Sequence, residues 1–398
     1  MAQDQRHSGR STILAAIRKA GRIARVDLAR QTDISPPTVT ALTAELIAEG
    51  LVEETATDRP SAGRGRPRVD LAVRGAARRV AGLKLTNQAI SMVILDFAGE
   101  ELAEFSVPLE QAQASIADMV AEIARAVRAG ADEAGCGVEG LAGLGLGISG
   151  IVDATRGFVY WSPSLQERNA PLGELLSQAL SLPVFVDNDA NLVAMAEKYF
   201  GLGRGVSDFI VATIENGVGM GIVLGDELYR GTRGCGAEFG HIKVELDGAL
   251  CRCGQRGCLE AYVADYALLR EAVVATDLSG SGDARSLDAL FEAAKNGDAI
   301  AQSIFRRAGR IFAMGLANLV NIFDPQLIIL SGERMQYDYL YADEVIESIR
   351  ESIVQIDLPP PDIQIHKWGD QMWAKGAAAF AIEGVAKIAL ENLANNAA

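Results

Sequence analysis

The run GAEFGHIKVELDGALCRCGQRGCLEAY, residues 236 to 262, constrains this chain more than any other stretch, because metal-ligating side chains crowd into it with fixed spacing. Three of the chain's five cysteines fall here as Cys251-x-Cys253-x4-Cys258, and His241 lies ten residues upstream. Four soft or borderline ligands at such spacing suit a closed tetrahedral Zn2+, and a fully ligated zinc leaves no open position, so the ion expected here is structural. Cysteines this few rarely cluster so tightly by chance, which sets aside the reading as scattered buried thiols. Cys136 and Cys235 lie elsewhere and read as free, inert thiols of a reducing compartment.

At 398 residues the chain exceeds one ordinary domain, and 49% hydrophobic with 22% charged residues is the balance of a globular protein with sizeable cores. Two or three domains are expected. No apolar run approaches a membrane span, and the start MAQDQRHSGRST lacks the positive-then-apolar pattern of a signal peptide, so a cytoplasmic protein is expected. The formal net charge of −15 hides a division along the chain. Residues 1–79 hold fourteen Lys/Arg against nine Asp/Glu, whereas the remainder holds twenty-three against forty-three. A small cationic module fused to a large acidic body is what results when only the first segment meets phosphates.

Within that segment, STILAAIRKAG (11–21) and VDLARQTD (26–33) read as two short helices separated by a Gly-containing connection. A third helix follows at once. Ser35 can cap it, Pro36 and Pro37 suit its first turn, Val39, Leu42, Leu46 and Ile47 form an apolar face, and Gly50 ends it. LVEETATDRPSAGRGRPRVDLAV then reads as a two-stranded wing. From residue 80 the pattern turns strand-rich (VAGLKLT, AISMVILDF, ELAEFSVPL) and then alternates, with the amphipathic helix SIADMVAEIARAVRAGADEAG and the strand LAGLGLGIS. This alternation favours an α/β architecture. PVFVDNDAN runs from a strand into the helix LVAMAEKYFG, and the later stretches DALFEAAKNGDAIAQSIFRRAGRIFAMGLANLVNIF and WAKGAAAFAIEGVAKIALENLA read as amphipathic helices of core and interface.

Gly240-His241 followed by Cys251, Cys253, Gly254, Gly257, Cys258 and Glu260 matches without a gap the GH…CxCGxxGCxE signature of the ROK family of repressors and sugar kinases. The resemblance implies an N-terminal winged helix-turn-helix (1–79) followed by a two-lobed, ribonuclease-H-like body shared with sugar kinases and actin. Its first α/β lobe would span 80–187, completed by the C-terminal helix at about 383–398, and its second lobe 188–382. By the same resemblance, Asn188 and Asp189 of NDAN, Glu238 and His241 of GAEFGH, and Glu260 are expected to hold a sugar. Three carboxylates, an amide and an imidazole form an acceptor array suited to the many hydroxyls of a monosaccharide. His241 can serve both sites, one ring nitrogen on zinc and the other on a sugar hydroxyl. Read bottom-up, Asn188 and Asp189 also suit a helix N-cap.

In the helix-turn-helix so identified, Ser35, Pro37, Thr38, Thr40, Ala41 and Thr43 are expected near the solvent-facing N-terminal part of the recognition helix, within reach of base edges. They are short, so hydroxyl and thymine-methyl contacts are expected, with phosphates supplying much of the affinity. Arg64, Arg66 and Arg68 of the wing suit a narrow minor groove.

Phosphoryl transfer needs Gly-rich turns around phosphates, a carboxylate for Mg2+ and a base at the sugar. ROK kinases end their first strand in D-x-G-G-T, where this chain has Lys84-Leu85-Thr86-Asn87-Gln88. The second turn, usually G-T-G-x-G-x-G, is Glu215-Asn216-Gly217-Val218-Gly219-Met220-Gly221, and the adenosine turn is Ser331-Gly332-Glu333. Ser149 in GISGIVD stands where a proline is common. Erosion at all three nucleotide motifs resembles the repressor branch. The expected protein is therefore not an enzyme but a sugar-responsive transcriptional regulator, a repressor of carbohydrate-utilisation genes. It would bind double-stranded operator DNA as a homodimer or homotetramer. A ROK sugar kinase and a sugar-independent DNA-binding scaffold are the alternatives. Xylose, glucose, and N-acetylglucosamine or its 6-phosphate all suit the acceptor array.

Overall fold

The computed structural model describes residues 2–56, 69–86, 88–276, 284–332, 335, 343–354, 357–367 and 371–396. The chain forms two compact units, Met1–Asn188 with Trp373–Ala398, and Asp189–Met372. No helix among the described residues is long and apolar enough to cross a membrane.

The first unit begins with a small module of α1 (Ala2–Ala20), β1 (Arg22–Ala24), α2 (Arg25–Thr32), α3 (Pro36–Ala48), β2 (Val52–Ala56) and β3 (Val69–Val73). Helix α1 starts well before the expected Ser11, because polar residues carry no apolar period to mark it. The Gly-containing connection holds a further strand: β1 pairs antiparallel with β3, giving a sheet in the order β1-β3-β2. Ile13, Ile17, Leu28, Val39, Leu46, Leu51 and Leu71 are fully buried between helices and sheet, at about 1.5–3 kcal/mol each. Arg10, 3% exposed, donates to Glu45 at 2.6 Å, and Arg6 donates to the other carboxylate oxygen. Burial opposes charge on Glu45, but these guanidiniums outweigh it and hold the carboxyl below its ordinary range. At the far end of α1, Arg18 donates to the Phe97 carbonyl at 2.6 Å and lies 4.8 Å from its ring centroid, tying the module to the rest of the unit.

The remainder of this unit comprises β4 (Arg79–Leu85), β5 (Ala89–Asp96), β6 (Glu101–Pro108), α4 (Ile116–Glu133), β7 (Gly143–Ile148), β8 (Ile151–Asp153), β9 (Phe158–Trp161), α5 (Leu172–Leu180) and β10 (Val184–Asn188). Its sheet runs β10-β7-β4-β5-β6, antiparallel through β4, β5 and β6 and parallel through β4, β7 and β10. Alternation along β4 and β7 sends Ala81, Leu83, Leu144 and Leu146 into a core with α4 and α5. Glycines take the other phase. A Cβ on Gly82 or Gly145 would lie within about 2.2 Å of backbone atoms of Ala374, Ala377 or Ala378, so this face admits a helix only because they are glycines.

The second unit contains α6 (Asp189–Phe200), β11 (Phe209–Ile214), β12 (Val218–Leu224), β13 (Glu227–Tyr229), α7 (Glu260–Val263), α8 (Asp265–Thr276), α9 (Ala284–Lys295), α10 (Ala299–Phe323), β14 (Leu327–Ser331), α11 (Asp343–Ser352) and β15 (Asp362–His366). Its sheet runs β13-β12-β11-β14-β15, again three antiparallel strands followed by two added in parallel. Two lobes of one topology are the architecture expected of a ribonuclease-H-like body. Helix α12 (Gln371–Asn396) closes the chain and joins the first unit from Trp373, ten residues before the expected 383. Ala374, Ala377 and Ala378 explain the earlier return, since they are the residues pressed on Gly82 and Gly145.

Candidate functional site

A cluster of side chains that could hold a metal ion forms in the loops between β13 and α7. His241 closes a short 3-10 turn, Phe239–His241, and bridges Lys243↔Cys258 and Leu250↔Arg256 fold the cysteine segment back on itself. Gly257 makes the fold possible. It has φ +75°, and a Cβ there would meet the Glu245 carbonyl at 1.7 Å. One ligand atom from each of His241, Cys251, Cys253 and Cys258 lies within 4.8 Å of every other. Cys253 and Cys258 Sγ are 3.7 Å apart, as are Cys251 Sγ and His241 Nδ1. A tetrahedron with metal–sulfur bonds of about 2.3 Å has edges of about 3.8 Å, so the donor set fits a four-coordinate ion.

The surroundings suit such an ion. Burial pushes the Cys251 thiol up to about 12, with the charge of Glu260 adding to the effect. Burial acts upward on Cys253 too, but the Gln255 backbone N–H and its neighbouring side chains outweigh it and bring that thiol below its ordinary range. Lys243 Nζ donates to Cys258 Sγ at 2.9 Å and to Gln255 Oε1 at 2.6 Å, and the bond to Cys258 raises its own pKa. One divalent ion with three thiolates carries a net charge of −1, which this ammonium balances. Nothing in the sequence marked Lys243, since a lysine two residues after His241 reads as surface.

Three carboxylates expected in the acceptor array, Asp189, Glu238 and Glu260, lie in the second unit with His241. Asp189 opens α6, where its Oδ1 accepts the Ala190 N–H at 2.9 Å. Glu238 is exposed, yet enough protein surrounds it for desolvation to push its carboxyl above the ordinary range. His241 opposes that shift, and the charges of Asp189 and Glu260 reinforce it. Asp189, His241 and Glu260 therefore each lie within electrostatic reach of Glu238 in the second unit. Asn188 ends β10 in the first unit and donates through Nδ2 to the Gly150 carbonyl at 2.9 Å. Glu260, 9% exposed, accepts the Val218 N–H at 3.3 Å and the Tyr266 hydroxyl at 3.3 Å. Tyr266 was not marked in the sequence either, because a tyrosine in an amphipathic stretch reads as packing.

At two of the turns that match the nucleotide motifs, groups of the chain itself pair with one another. Lys84 is 5% exposed and its ammonium lies 3.5 Å from the centroid of the Trp373 ring. Thr86 Oγ1 accepts the Gln88 and Ala89 N–H groups and donates to the Ala89 carbonyl, making a tight hairpin turn in place of a phosphate loop. Between β11 and β12, Glu215 N–H donates to the Gly217 carbonyl at 2.9 Å, and the next amide, Val218, is taken by Glu260. Asn87 and Glu333 lie outside the described residues.

In the N-terminal module Ser35 caps α3 by accepting the Thr38 N–H, and Ser35, Pro37, Thr38, Thr40 and Ala41 are all exposed. Thr43 is the exception. It is fully buried, accepts the Arg25 Nε–H at 3.1 Å and donates to the Thr40 carbonyl, so it faces the core and cannot meet a base edge. Helical phase explains the error: Thr43 follows Val39 by four residues and shares its face, whereas Ala44 takes the exposed position. A groove of about 880 Å3 runs along the flank of α3, bordered by Arg6, Ser8, Thr12, Ile34 and Thr38 among others. Arg64, Arg66 and Arg68 lie outside the described residues.

Comparison with known proteins agrees with this division. Residues 11–53 match a family described as winged helix-turn-helix DNA-binding. The xylose repressor of Caldicellulosiruptor bescii is 30% identical over 372 residues, covering 90% of this chain and 92% of that protein. A glucokinase of Streptomyces coelicolor is 31% identical and covers 97% of its own length but only 76% of this chain. Among solved structures, a ROK family transcriptional regulator described as a homologue of the E. coli MLC protein superposes with a TM-score of 0.80 at 25% identity, covering 98% of this chain and 99% of its own. Residues 80–384 match the ROK family model, and the chain belongs to the ROK family.

Proposed function

We propose that this protein is a sugar-responsive transcriptional regulator that represses carbohydrate-utilisation genes. The observation that supports the reading is a match to winged helix-turn-helix DNA-binding proteins joined to a ROK body in which Lys84, stacked on Trp373, stands where the first nucleotide motif begins. Asn188, Asp189, Glu238, His241 and Glu260 hold the sugar. Asp189, the position of the catalytic base in ROK kinases, serves here as an acceptor, so binding replaces turnover. His241, Cys251, Cys253 and Cys258 hold a structural Zn2+, which supplies no chemistry beyond fixing the loop that carries His241 and leads into Glu260.

On the DNA side, Ser35, Pro37, Thr38, Thr40 and Ala41 face the major groove, joined by Ala44, and Arg64, Arg66 and Arg68 reach the minor groove. Two copies place two such modules on half-sites one or more helical turns apart, in a homodimer or a homotetramer. Sugar favours one arrangement of the modules over the other, and a hundredfold change in operator affinity requires only about 2.7 kcal/mol of coupling. All of this takes place in the cytoplasm.

Fluorescence anisotropy on labelled DNA from the gene's own upstream region, at physiological salt and against a panel of sugars, tests the proposal. Specific binding that changes with one sugar supports it and names the effector. Specific binding untouched by every sugar points to a scaffold instead. The resemblance to glucokinase favours a second reading, phosphorylation of the bound sugar. Sugar-dependent ADP release that disappears in Asp189→Ala would establish it.

A further inference from the structure

Tyr266 stands between the metal loop and the acceptor array. Its hydroxyl lies 3.3 Å from Glu260 Oε1 and 3.6 Å from Cys251 Sγ, and it accepts the Arg252 backbone N–H at 3.5 Å. Two guanidiniums lie over its ring, that of Arg252 4.0 Å from the centroid and that of Arg270 at 6.0 Å. Arg270 is fixed in turn by the carbonyls of Leu250 and Ala261. The half-buried phenol therefore has little freedom of position and a choice of two acceptors for one proton.

We propose that the Tyr266 hydroxyl is a positioning group that aims the Glu260 carboxylate at a sugar hydroxyl and links its orientation to the metal ligand Cys251. Beside the phenol contact, Glu260 Oε2 accepts the Val218 N–H and Oε1 faces the Cys251 sulfur, a weak donor as a thiol and none as a metal-bound thiolate, so without the phenol the carboxylate is held firmly at one oxygen and can rotate about its last bond. The phenol proton on Oε1 removes that freedom. When a sugar hydroxyl donates to Oε1, the phenol proton can turn to the Cys251 sulfur without either acceptor being left bare. Cys251 Sγ also lies 3.6 Å from Glu260 Oε1, so the three atoms form one closed contact. A metal-bound thiolate is a better acceptor than a thiol, so the loaded site completes this exchange. The inference rests on Glu260 being a sugar ligand, as proposed above.

The test uses the full-length, zinc-loaded chain and its Tyr266→Phe variant, which keeps the ring and its two guanidinium neighbours but removes the hydroxyl. Zinc content, affinity for D-xylose, D-glucose and N-acetylglucosamine, and the thiolate-to-metal charge-transfer band of the cobalt-substituted protein are measured in both, together with Glu260→Gln and the double variant. The expected result is one zinc per chain throughout, about tenfold weaker binding of whichever sugar the wild type takes, and a displaced cobalt band. Tyr266→Phe should cost nothing further once Glu260→Gln is present. Unchanged affinity and an unchanged band in Tyr266→Phe overturn the inference and leave the sugar site standing. Loss of zinc shows that the ring merely holds the loop together, which overturns it as well. A wild type that binds none of the three sugars removes the sugar reading itself, and this role with it.

Discussion

The cysteine loop and helix α3 encode position in opposite ways. In the loop, ligand spacing and Gly257 dictate the geometry, and His241, Cys251, Cys253 and Cys258 come together as their sequence positions demand. On the helix, position is a matter of phase, 100° per residue, and a shift of one residue separates buried Thr43 from exposed Ala44. Spacing resolves single residues, whereas phase resolves only a face.

The first way to break this comparison is Cys258→Ser, which is expected to have the largest effect. Structural zinc is bound with apparent free energies on the order of 10 kcal/mol at neutral pH, so losing a buried ligand should empty the site and lower the melting temperature of the body. Elemental analysis showing one zinc in the purified variant would remove Cys258 from the ligand set. Next comes Ala44→Glu, which places a negative charge on the exposed face of α3. It should weaken operator binding at least a hundredfold with the melting temperature unchanged. Thr43→Ala should do the reverse, costing about 1–2 kcal/mol of stability through the lost Arg25 bond, with little change in affinity. Equal effects of the two on anisotropy would mean that the helix faces DNA otherwise.

Asp189→Ala tests the acceptor array. It should retain operator affinity and weaken the sugar response at least tenfold, read by the same titration. The metal loop also predicts a pH dependence. With the Cys251 thiol near 12, metal entry displaces its proton, so affinity rises with pH, about tenfold per unit for each proton released, and falls on acidification. A competition titration flat between pH 6 and 8 would show that no proton leaves. The smallest effect belongs to the N-terminal module. Glu45 has its carboxyl held below the ordinary 4.5, so its ion pairs with Arg10 and Arg6 stabilise the module above that value and are lost as pH falls beneath it. Glu45→Gln removes that charge, so it should lower the melting temperature at neutral pH and leave it nearly unchanged well below pH 4.5, flattening the acid limb.

Legibility in the sequence follows the same division. The convergence of His241 with Cys251, Cys253 and Cys258, the Ser35 cap and the long helix after Ser115 were readable because each depends on neighbours a few positions away. The repeat of one strand order in both units was not readable, since it lies in backbone pairing between segments with little sequence in common. The return of α12 at Trp373 was hidden for a related reason. An alanine-rich helix shows its partner only when the glycines of a distant sheet are seen beneath it. Lys243 and Tyr266 escaped because each shows itself only by its contact with a residue already singled out, Cys258 or Glu260.

On the proposed reading, Lys84 against Trp373 is also a ratchet on the history of the chain. Restoring an acidic residue at position 84 alone would press a carboxylate on the electron-rich face of an indole in a nearly closed site, and replacing Trp373 first would strip a buried ammonium of its ring. Either first step lowers stability before any nucleotide can bind, and the missing glycines would still have to follow. A sensor locked in this way can drift in sugar preference over generations without ever beginning to consume the molecule it measures.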